Sequence, residues 1–541
     1  MWGSAMQTHT KVSLLLMALV FTSFFVGLGS SPLFDFDEGA FAECTREMLT
    51  TGNLTTPHLG GQPYYDKPIL TYWCQALFAK CLGLHEIAFR LPSALAGALW
   101  AFLLWHFARE FLGSASAGWT VLFLATTLHI ILTVRVATSD ALLNCLLAAS
   151  MLAFYRYHSG GAPRNLYSAS TFMALGVLAK GPVAVVIPVV VTFLFCALQR
   201  DLKRWSRALI NPVAVIIFLA IAVPWHLAAW FENGDAFIDS MLWHNLSRYR
   251  DVAMEGHTGG FLYYLPFLLV FLLPHTGVML VSLVRAFRDT GTPLVRFMLI
   301  WFCFVVLFFS FSVTKLPHYV IPAYAPLFIL TARYFPNVRS SFWLFAPALA
   351  LALIYVLAPV LVWFVSAHSD DPYIVAVATA AFGHFGIGYY TVAVAGALLA
   401  LVLMFLRSYA PTWRVTVVSV LLMLILNLGL TPAIGLACQG HVRDAAWFAK
   451  DKDLDVQYWR LGRPGITLMF PSFMVYRQAI VPHARGVPRG ACVLTKTTAL
   501  NDLGPHTVLF QRSGLTIAQA APPEDGAVHA EATVAPEAAS D

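Results

Sequence analysis

Acidic and basic side chains gather near the ends of long apolar stretches of this chain. They are Asp35, Asp37, Glu38, Asp66, Asp140, Lys67, Lys180, Arg248, His257 and Lys315. An ionised group at membrane depth costs about 2.5–3.5 kcal/mol on insertion scales, so its presence there needs a reason. Any one of these groups alone is best interpreted as a solvated loop charge. Their number on one predicted side of the helices favours a shared polar cavity.

The residue types indicate which chemistry such a cavity could perform. A lipid phosphate is held by fixed cations. Lys67, Arg248 and Lys315 are available for this task. Formation of a glycosidic bond needs carboxylates near the anomeric carbon and the incoming group, where they stabilise oxocarbenium-like charge and orient or deprotonate the acceptor. Three carboxylates can fill these positions: Asp37, Glu38 and Asp140.

The elements that must position these groups are predicted to be membrane helices. Of 541 residues, 59% are apolar and 11% charged, and the mean hydropathy is +0.70. This composition excludes a soluble enzyme, a disordered scaffold and a DNA-binding protein. Apolar runs long enough to cross a hydrocarbon core predict about thirteen transmembrane helices. They lie near residues 11–28, 91–108, 115–134, 140–157, 166–179, 183–198, 212–231, 261–284, 294–312, 317–335, 342–366, 386–407 and 412–435.

The distribution of charge predicts the orientation of these helices. With a cytoplasmic N-terminus, the inner segments hold fifteen Lys and Arg but three acids, Glu110, Asp201 and Asp289. This bias follows the positive-inside rule. The charged groups named above then all lie on the extracytoplasmic side, together with the C-terminal region.

The chain is predicted to have three parts. Residues 1–435 form the membrane domain, with outer loops 29–90 and 232–260 and an interfacial helix at Ile69–Leu84. Residues 436–520 form a small α/β domain, with a helix near 441–450 and strands near 455–461, 491–497 and 506–518. Residues 521–541 are predicted to be a disordered tail. Cys438 and Cys492 form either a disulfide in the outer region or two free thiols.

Five sequence strings, in order along the chain, carry a family resemblance. They are Asp37–Glu43 with Arg46–Leu49 and Gly52, Tyr64–Trp73, Ala179–Pro182, His244–Tyr249 with His257 and Phe261–Pro266, and Lys315–Pro322. The chain resembles the GT-C type membrane glycosyltransferases, specifically the protein O-mannosyltransferase-like group that includes the aminoarabinose lipid A transferases. No GxGxxG, GxxxxGK[ST] or HExxH motif occurs in the sequence.

The resemblance implies an all-α polytopic enzyme of the cell inner membrane that moves a hexosyl or pentosyl group from a polyprenyl-phosphate donor. The acceptor would be lipid A-like, as in lipopolysaccharide, or another cell-envelope component on the periplasmic side. Neither a nucleic acid nor a required cofactor is implied. The implied catalytic residues are Asp37, Glu38 and Asp140. The implied carrier-phosphate residues are Tyr64, Lys67, Arg248, Lys315 and Tyr319. Relatives can hold a divalent metal at the positions of Asp66 and His257, although two ligands from distant loops make no specific signal.

Three departures from the family pattern bear on the substrates. Ala40 and Trp243 stand where many aminoarabinose transferases have Arg and Glu, and Asp66 stands where Glu is usual. The first two remove charged contacts, so the same sugar and acceptor do not carry over automatically. Arg46 could offset the first loss if residues 37–46 are helical.

Three alternatives remain beside this interpretation. One is O-mannosyltransferase-like transfer to Ser or Thr. A second is transport of a lipid-linked sugar, because charges among membrane helices also mark substrate pathways. A third is a non-catalytic assembly partner that acts through the C-terminal domain. The one-sided charge cluster and the lack of detectable repeats favour the enzyme.

Overall fold

The structure is a computed structural model. It describes the backbone of residues 2–246, 259–406, 408–461, 470–484 and 490–522, and the side chains of the same ranges apart from 2–10 and 244–246. Two predicted site residues, Arg248 and His257, therefore lie outside the described residues, as does the predicted tail from residue 523 onward.

Helices dominate the described chain. They are α1 Trp2–Phe24, α2 Asp37–Thr51, α3 Leu70–Leu82, α4 Glu86–Leu112, α5 Ser114–Thr126, α6 Leu128–Val134, α7 Asp140–Gly160, α8 Pro163–Lys180, α9 Val183–Leu198, α10 Leu202–Leu209, α11 Pro212–Asn233, α12 Asp235–Leu246, α13 Tyr264–Phe271, α14 Thr276–Arg288, α15 Pro293–Ser310, α16 Tyr324–Tyr334, α17 Ser341–His368, α18 Pro372–Ala381, α19 Ile387–Phe405, α20 Pro411–Ile425, α21 Thr431–Asp451 and α22 Pro471–Arg477. A 3₁₀ helix at Pro317–Ala323 precedes α16.

The predicted spans coincide with helices, although many of those helices are short or bent. Within the described ranges, six are long and apolar enough to cross a membrane, or up to eight if each bent pair is one span. The bent pairs are α5 with α6, at 68°, and α13 with α14, at 120°. The prediction of about thirteen spans therefore exceeds the number that length and hydropathy alone support. The chain still has the several apolar helices of a multi-pass membrane protein.

Gly181 and Pro182 explain why the helical chain is interrupted between α8 and α9, next to the candidate site. Gly181 follows the last residue of α8 with a φ of 87°, a conformation that L side chains rarely adopt. Pro182 then precedes α9, where its missing N–H leaves no hydrogen bond unmade. The predicted division of this long apolar stretch into two helices is thus correct. It places Lys180 at the C-terminus of α8, where a cation is favoured.

The first outer loop folds over the helix ends. It contains α2, a small hairpin of β1 (His58–Leu59) and β2 (Gln62–Pro63), and α3. The helix predicted at Ile69–Leu84 is α3, which begins one residue later and ends two residues earlier than expected. Apolar residues of this loop pack in one buried cluster with residues of α21, α22 and the C-terminal sheet.

The C-terminal region is a four-stranded sheet against helices. The strands are β3 Val456–Tyr458, β4 Cys492–Lys496, β5 His506–Arg512 and β6 Leu515–Ala520, in the order β3-β4-β6-β5. β3 pairs with β4 in parallel, and the other pairs are antiparallel. The single strand predicted at 506–518 is wrong, since Ser513 and Gly514, both with positive φ, divide it into a hairpin.

The helix predicted at 441–450 is the end of a longer one. A π-helical turn at Leu426–Leu430 joins α20 to α21, so one helical stretch runs from the membrane region to Asp451. The predicted boundary at residue 436 falls inside it. Cys438 and Cys492 are both free thiols in the structure.

Candidate active site

The ends of several helices enclose a cavity of about 360 Å³ on the side of the first outer loop, here called the charged pocket. Its polar lining residues are Asp66, Lys67, Asp140, Asn144, Lys180, His318 and Tyr319. Its apolar lining includes Leu143, Val183, Val186, Ile238, Met241 and Phe308. The pocket thus combines charges at one part of its wall with hydrocarbon surface elsewhere.

Asp140 and Lys180 form an ion pair in this pocket. Nζ of Lys180 lies 2.5 Å from Oδ1 of Asp140, and the side chains are 9% and 14% exposed. Asp140 is the first residue of α7 and Lys180 the last of α8, so each charge lies at the helix end that favours its sign. The pair links two helices that pack along each other.

A second ion pair lies in the same wall. Nζ of Lys67 is 2.5 Å from Oδ2 of Asp66, and both side chains are mostly buried. Asp66 therefore has one carboxylate oxygen committed to Lys67. Among the described residues, no group of three His, Cys, Asp or Glu side chains could hold a metal ion. The other predicted metal residue, His257, lies outside the described residues.

Asp37 begins α2 and lies within electrostatic range of both ion pairs, although in the described part of the chain it is not among the residues that line the charged pocket. The pKa of Asp37 is raised, because desolvation of the carboxylate outweighs the attraction of Lys67 and Lys180. Repulsion from Asp140 and Asp66 adds to the increase. Asp37, Lys67 and Asp140, which the sequence predicted to converge, thus act on one another electrostatically.

Glu38, the next residue, has different surroundings. It is 2% exposed, and its carboxylate pairs with the guanidinium of Arg90 at 2.7 Å. The same carboxylate accepts hydrogen bonds from the backbone N–H groups of Phe34 and Ala137. Four donors therefore occupy its two oxygens, and Glu38 does not line the charged pocket among the described residues.

Of the other predicted phosphate residues that the structure describes, one lines the charged pocket and two do not. Tyr319 is 6% exposed and lines the charged pocket. Lys315 is buried, and its Nζ contacts the carbonyl oxygen of Ser312. Tyr64 packs against the apolar cluster of the first loop. Neither of these two lines the pocket in the described part of the chain.

Arg46 does not replace the arginine that the family pattern places at Ala40. Residues 37–51 are helical, as that compensation required. However, Arg46 donates two hydrogen bonds of 2.7 Å to Glu43 and is 4% exposed inside the loop. Ala40 is itself 3% exposed, so the position is filled by packing and not by charge.

Three pocket residues were not among the predicted site residues. Lys180 stood among the outer charges but received no role. Asn144 lies one turn after Asp140 on α7, and its Nδ2 donates to the Asp140 carbonyl oxygen at 2.8 Å. The spacing i, i+4 could have indicated it. His318 lies inside the Lys315–Pro322 string that carries the family resemblance, but the resemblance gave it no role.

The fold defines the class: the chain has the GT-C fold of polytopic membrane glycosyltransferases. It superposes on the crystal structure of ArnT from Cupriavidus metallidurans bound to undecaprenyl phosphate with a TM-score of 0.78 and 21% identity, covering 94% of this chain and 98% of that one. The apo structure of the same protein gives 0.77 and 20% identity with the same coverage.

Sequence comparison adds the relatives. Residues 66–228 match the family described as dolichyl-phosphate-mannose-protein mannosyltransferase. The chain is 30% identical over 336 residues to the undecaprenyl phosphate-alpha-4-amino-4-deoxy-L-arabinose arabinosyl transferase of Aeromonas hydrophila, covering 60% of each chain. A Sodalis glossinidius transferase of the same name is 31% identical over 340 residues, with 59% of this chain and 58% of that protein covered.

These findings confirm the resemblance read from the motifs. The chain is a multi-pass inner-membrane protein of GT-C type that is similar to the aminoarabinose transferases. The matched region spans about 60% of the length of those relatives.

Proposed function

We propose that this protein is a glycosyltransferase that moves a sugar from a polyprenyl-phosphate donor to a lipid A-like or other cell-envelope acceptor at the periplasmic face. One observation carries the proposal: Lys67, Asp140, Lys180 and Tyr319 line one pocket that Asp37 influences electrostatically. Cations for a phosphate and carboxylates for a sugar therefore lie within the same space. The proposal includes a cytoplasmic N-terminus and a periplasmic C-terminal domain, as the charge bias indicates.

The donor phosphate binds between the lysines. Lys67 and Lys180 each already pair with an acid, at 2.5 Å in both cases. Both ammonium groups are positively charged, and an ammonium attracts the negative oxygens of a phosphate. Tyr319 lines the same pocket. Arg248 and Lys315 are kept as further phosphate residues on the sequence resemblance alone. The isoprenoid chain lies along Val183, Val186 and other apolar lining residues.

The reaction breaks the bond between the anomeric carbon and the carrier phosphate. The acceptor oxygen attacks that carbon, and the phosphate leaves with the bonding electron pair. Positive charge that develops on the sugar is stabilised by Asp140, while Lys67 and Lys180 stabilise the departing phosphate. No cofactor is needed in this scheme, because side chains supply both charges. A divalent ion held by Asp66 and His257 is the alternative.

The role of Asp37 depends on the acceptor. A phosphate acceptor, as in lipid A, is already ionised and needs no base, so Asp37 orients the reactants. A hydroxyl acceptor requires a general base, and a carboxylate of raised pKa is better suited to that task. The relatives' donor suggests a pentose, but Ala40 and Trp243 remove two charged positions, so the sugar has to be measured.

The test is direct transfer. Purified protein is incubated with undecaprenyl-phosphate sugars and with lipid A or acceptor peptides, and the products are identified by mass spectrometry. The proposal requires a mass increase of one sugar on an acceptor together with release of undecaprenyl phosphate. The Asp140→Asn variant serves as the matched control. Movement of intact donor across vesicle membranes without a glycosylated product would instead indicate a transporter.

A further inference from the structure

Arg90 and Glu38 form a buried network between the first loop and α4. Both side chains are 2% exposed, and Arg90 donates to Glu38 through Nε at 2.7 Å and Nη2 at 2.8 Å. Its remaining donors reach the carbonyl oxygens of Leu28, Ser31 and Pro32, each at 2.8 Å. The guanidinium therefore fixes the segment between α1 and α2.

Glu38 extends the network to the turn before α7. Its Oε1 accepts a hydrogen bond of 2.8 Å from the backbone N–H of Ala137, three residues before Asp140. Its Oε2 accepts another, of 2.9 Å, from Phe34, three residues before Asp37. One carboxylate thus binds the backbone close to both acids of the proposed reaction.

The turn at residues 135–139 is held from other directions as well. Gln75 of α3 donates at 3.1 Å to the Ala137 carbonyl oxygen, so the residue that Glu38 binds through its N–H is also bound through its C=O. Ser93 of α4 donates to the Thr138 carbonyl oxygen at 3.1 Å. The position of Asp140 is therefore set by several side chains, with Glu38 as the member that also adjoins Asp37.

We propose that Glu38 and Arg90 are positioning residues that fix the distance between Asp37 and Asp140. This proposal rests on the proposed function. A buried ion pair is a poor way to gain stability, because desolvation of two charges offsets their attraction. A network that ties two distant segments together, in contrast, defines geometry. Catalytic groups need such support, since a displacement of about 1 Å can cost about 100-fold in rate.

The chain offers a matched control for this proposal. Glu43 and Arg46 also form a buried ion pair on α2, at 2.7 Å, with side chains 0% and 5% exposed. Both of its members belong to the same helix, three residues apart, and among the described residues neither side chain has a hydrogen bond to the turn before Asp140. A general effect of removing a buried charge from α2 should appear equally in both pairs.

The experiment compares Glu38→Gln and Arg90→Lys with Glu43→Gln in purified full-length protein. We expect kcat for sugar transfer to fall at least about 10-fold in Glu38→Gln, with the donor KM within about twofold of wild type. Glu43→Gln should keep kcat within about threefold. Thermal unfolding shows whether each variant is folded. If Glu38→Gln does not fold, the kcat of Arg90→Lys, which keeps the positive charge, tests the positioning role instead.

A second measurement asks whether the effect passes through Asp37. Asp37→Glu moves the carboxylate by one methylene, and the same Glu38→Gln change should then cost clearly less than in the wild type. Equal losses of kcat in Glu38→Gln and Glu43→Gln, or full additivity with Asp37→Glu, would overturn the positioning role. Wild-type protein that transfers no sugar from any donor would instead refute the proposed function.

Discussion

Replacement of Lys180 by Gln tests whether this lysine binds the donor or only neutralises Asp140. Its Nζ lies 2.5 Å from Oδ1 of Asp140, and the two side chains are 9% and 14% exposed. A hydrogen bond to a charged group contributes about 1.5–3 kcal/mol, and 1.36 kcal/mol corresponds to a factor of ten in rate. We therefore expect kcat/KM for the donor to fall about 10- to 150-fold in Lys180→Gln.

The loss has to be separated from the effect of leaving Asp140 unpaired. Initial rates of transfer are measured by mass spectrometry for Lys180→Gln, Asp140→Asn and the double variant. If Lys180 contacts the phosphate, Lys180→Gln lowers kcat/KM in the Asp140→Asn background as well. If it serves only as a counter-ion, the lysine has no effect once the carboxylate is gone.

The control is an ion pair on the predicted cytoplasmic side. Nε of Arg156 lies 2.7 Å from Glu110, and Arg156→Gln should leave kcat/KM unchanged. An unchanged kcat/KM in Lys180→Gln would refute the reasoning about the charged pocket. A loss that disappears entirely in the Asp140→Asn background would remove Lys180 from the phosphate site.

Three further predictions concern pH and metal. Transfer activity should fall as the pH decreases through the raised pKa of Asp37, because the carboxylate is then protonated, and this fall should occur at a higher pH than for an ordinary aspartate. The Asp37→Asn variant should show no transfer at any pH of the same rate profile. Burial raises the pKa of Asp35, which accepts hydrogen bonds from Ser472, from 3.8 to about 7. The folded state then binds more protons than the unfolded state between these values, so thermal stability should decrease as the pH rises from about 4 to about 7, and less so in Asp35→Asn. EDTA should leave transfer unchanged, whereas a metal at Asp66 and His257 would make it sensitive.

Much of the fold was predictable because the constraints are compositional. Apolar length identifies membrane segments whatever their packing, and the predicted spans coincide with helices. The number of transmembrane spans was harder to predict, because breaks and bends divide several of them. Thr127 separates α5 from α6, and His275 lies between α13 and α14. Such bends are stabilised by tertiary contacts, including the hydrogen bond from the N–H of Leu128 to the Leu273 carbonyl oxygen, which no local pattern reveals.

The sequence indicated which charged residues belong to the site, but it did not indicate the contacts of each one. Lys67, Asp140 and Tyr319 line one pocket. Asp140 begins α7, Lys67 lies in the loop before α3, and Tyr319 lies in the 3₁₀ helix before α16. The ion pair of Lys180 with Asp140 joins residues 40 positions apart, and sequence alone gives no reason to pair them. Lys315 appeared equivalent to Lys67, yet its ammonium contacts the Ser312 carbonyl oxygen.

Asp37 and Glu38 show how neighbouring acids acquire different roles. Successive residues of an α-helix point about 100° apart, so the first residues of α2 cannot face the same surroundings. Glu38 points inward, where Arg90 and two backbone N–H groups satisfy it. Asp37 lies at the surface, where the charges of Lys67, Asp140 and Lys180 act on its carboxylate. Glu38 therefore fixes the backbone on which Asp37 is carried. Substitution of Glu38 should reduce transfer by displacing Asp37 and Asp140, whereas substitution of Asp37 removes the carboxylate itself.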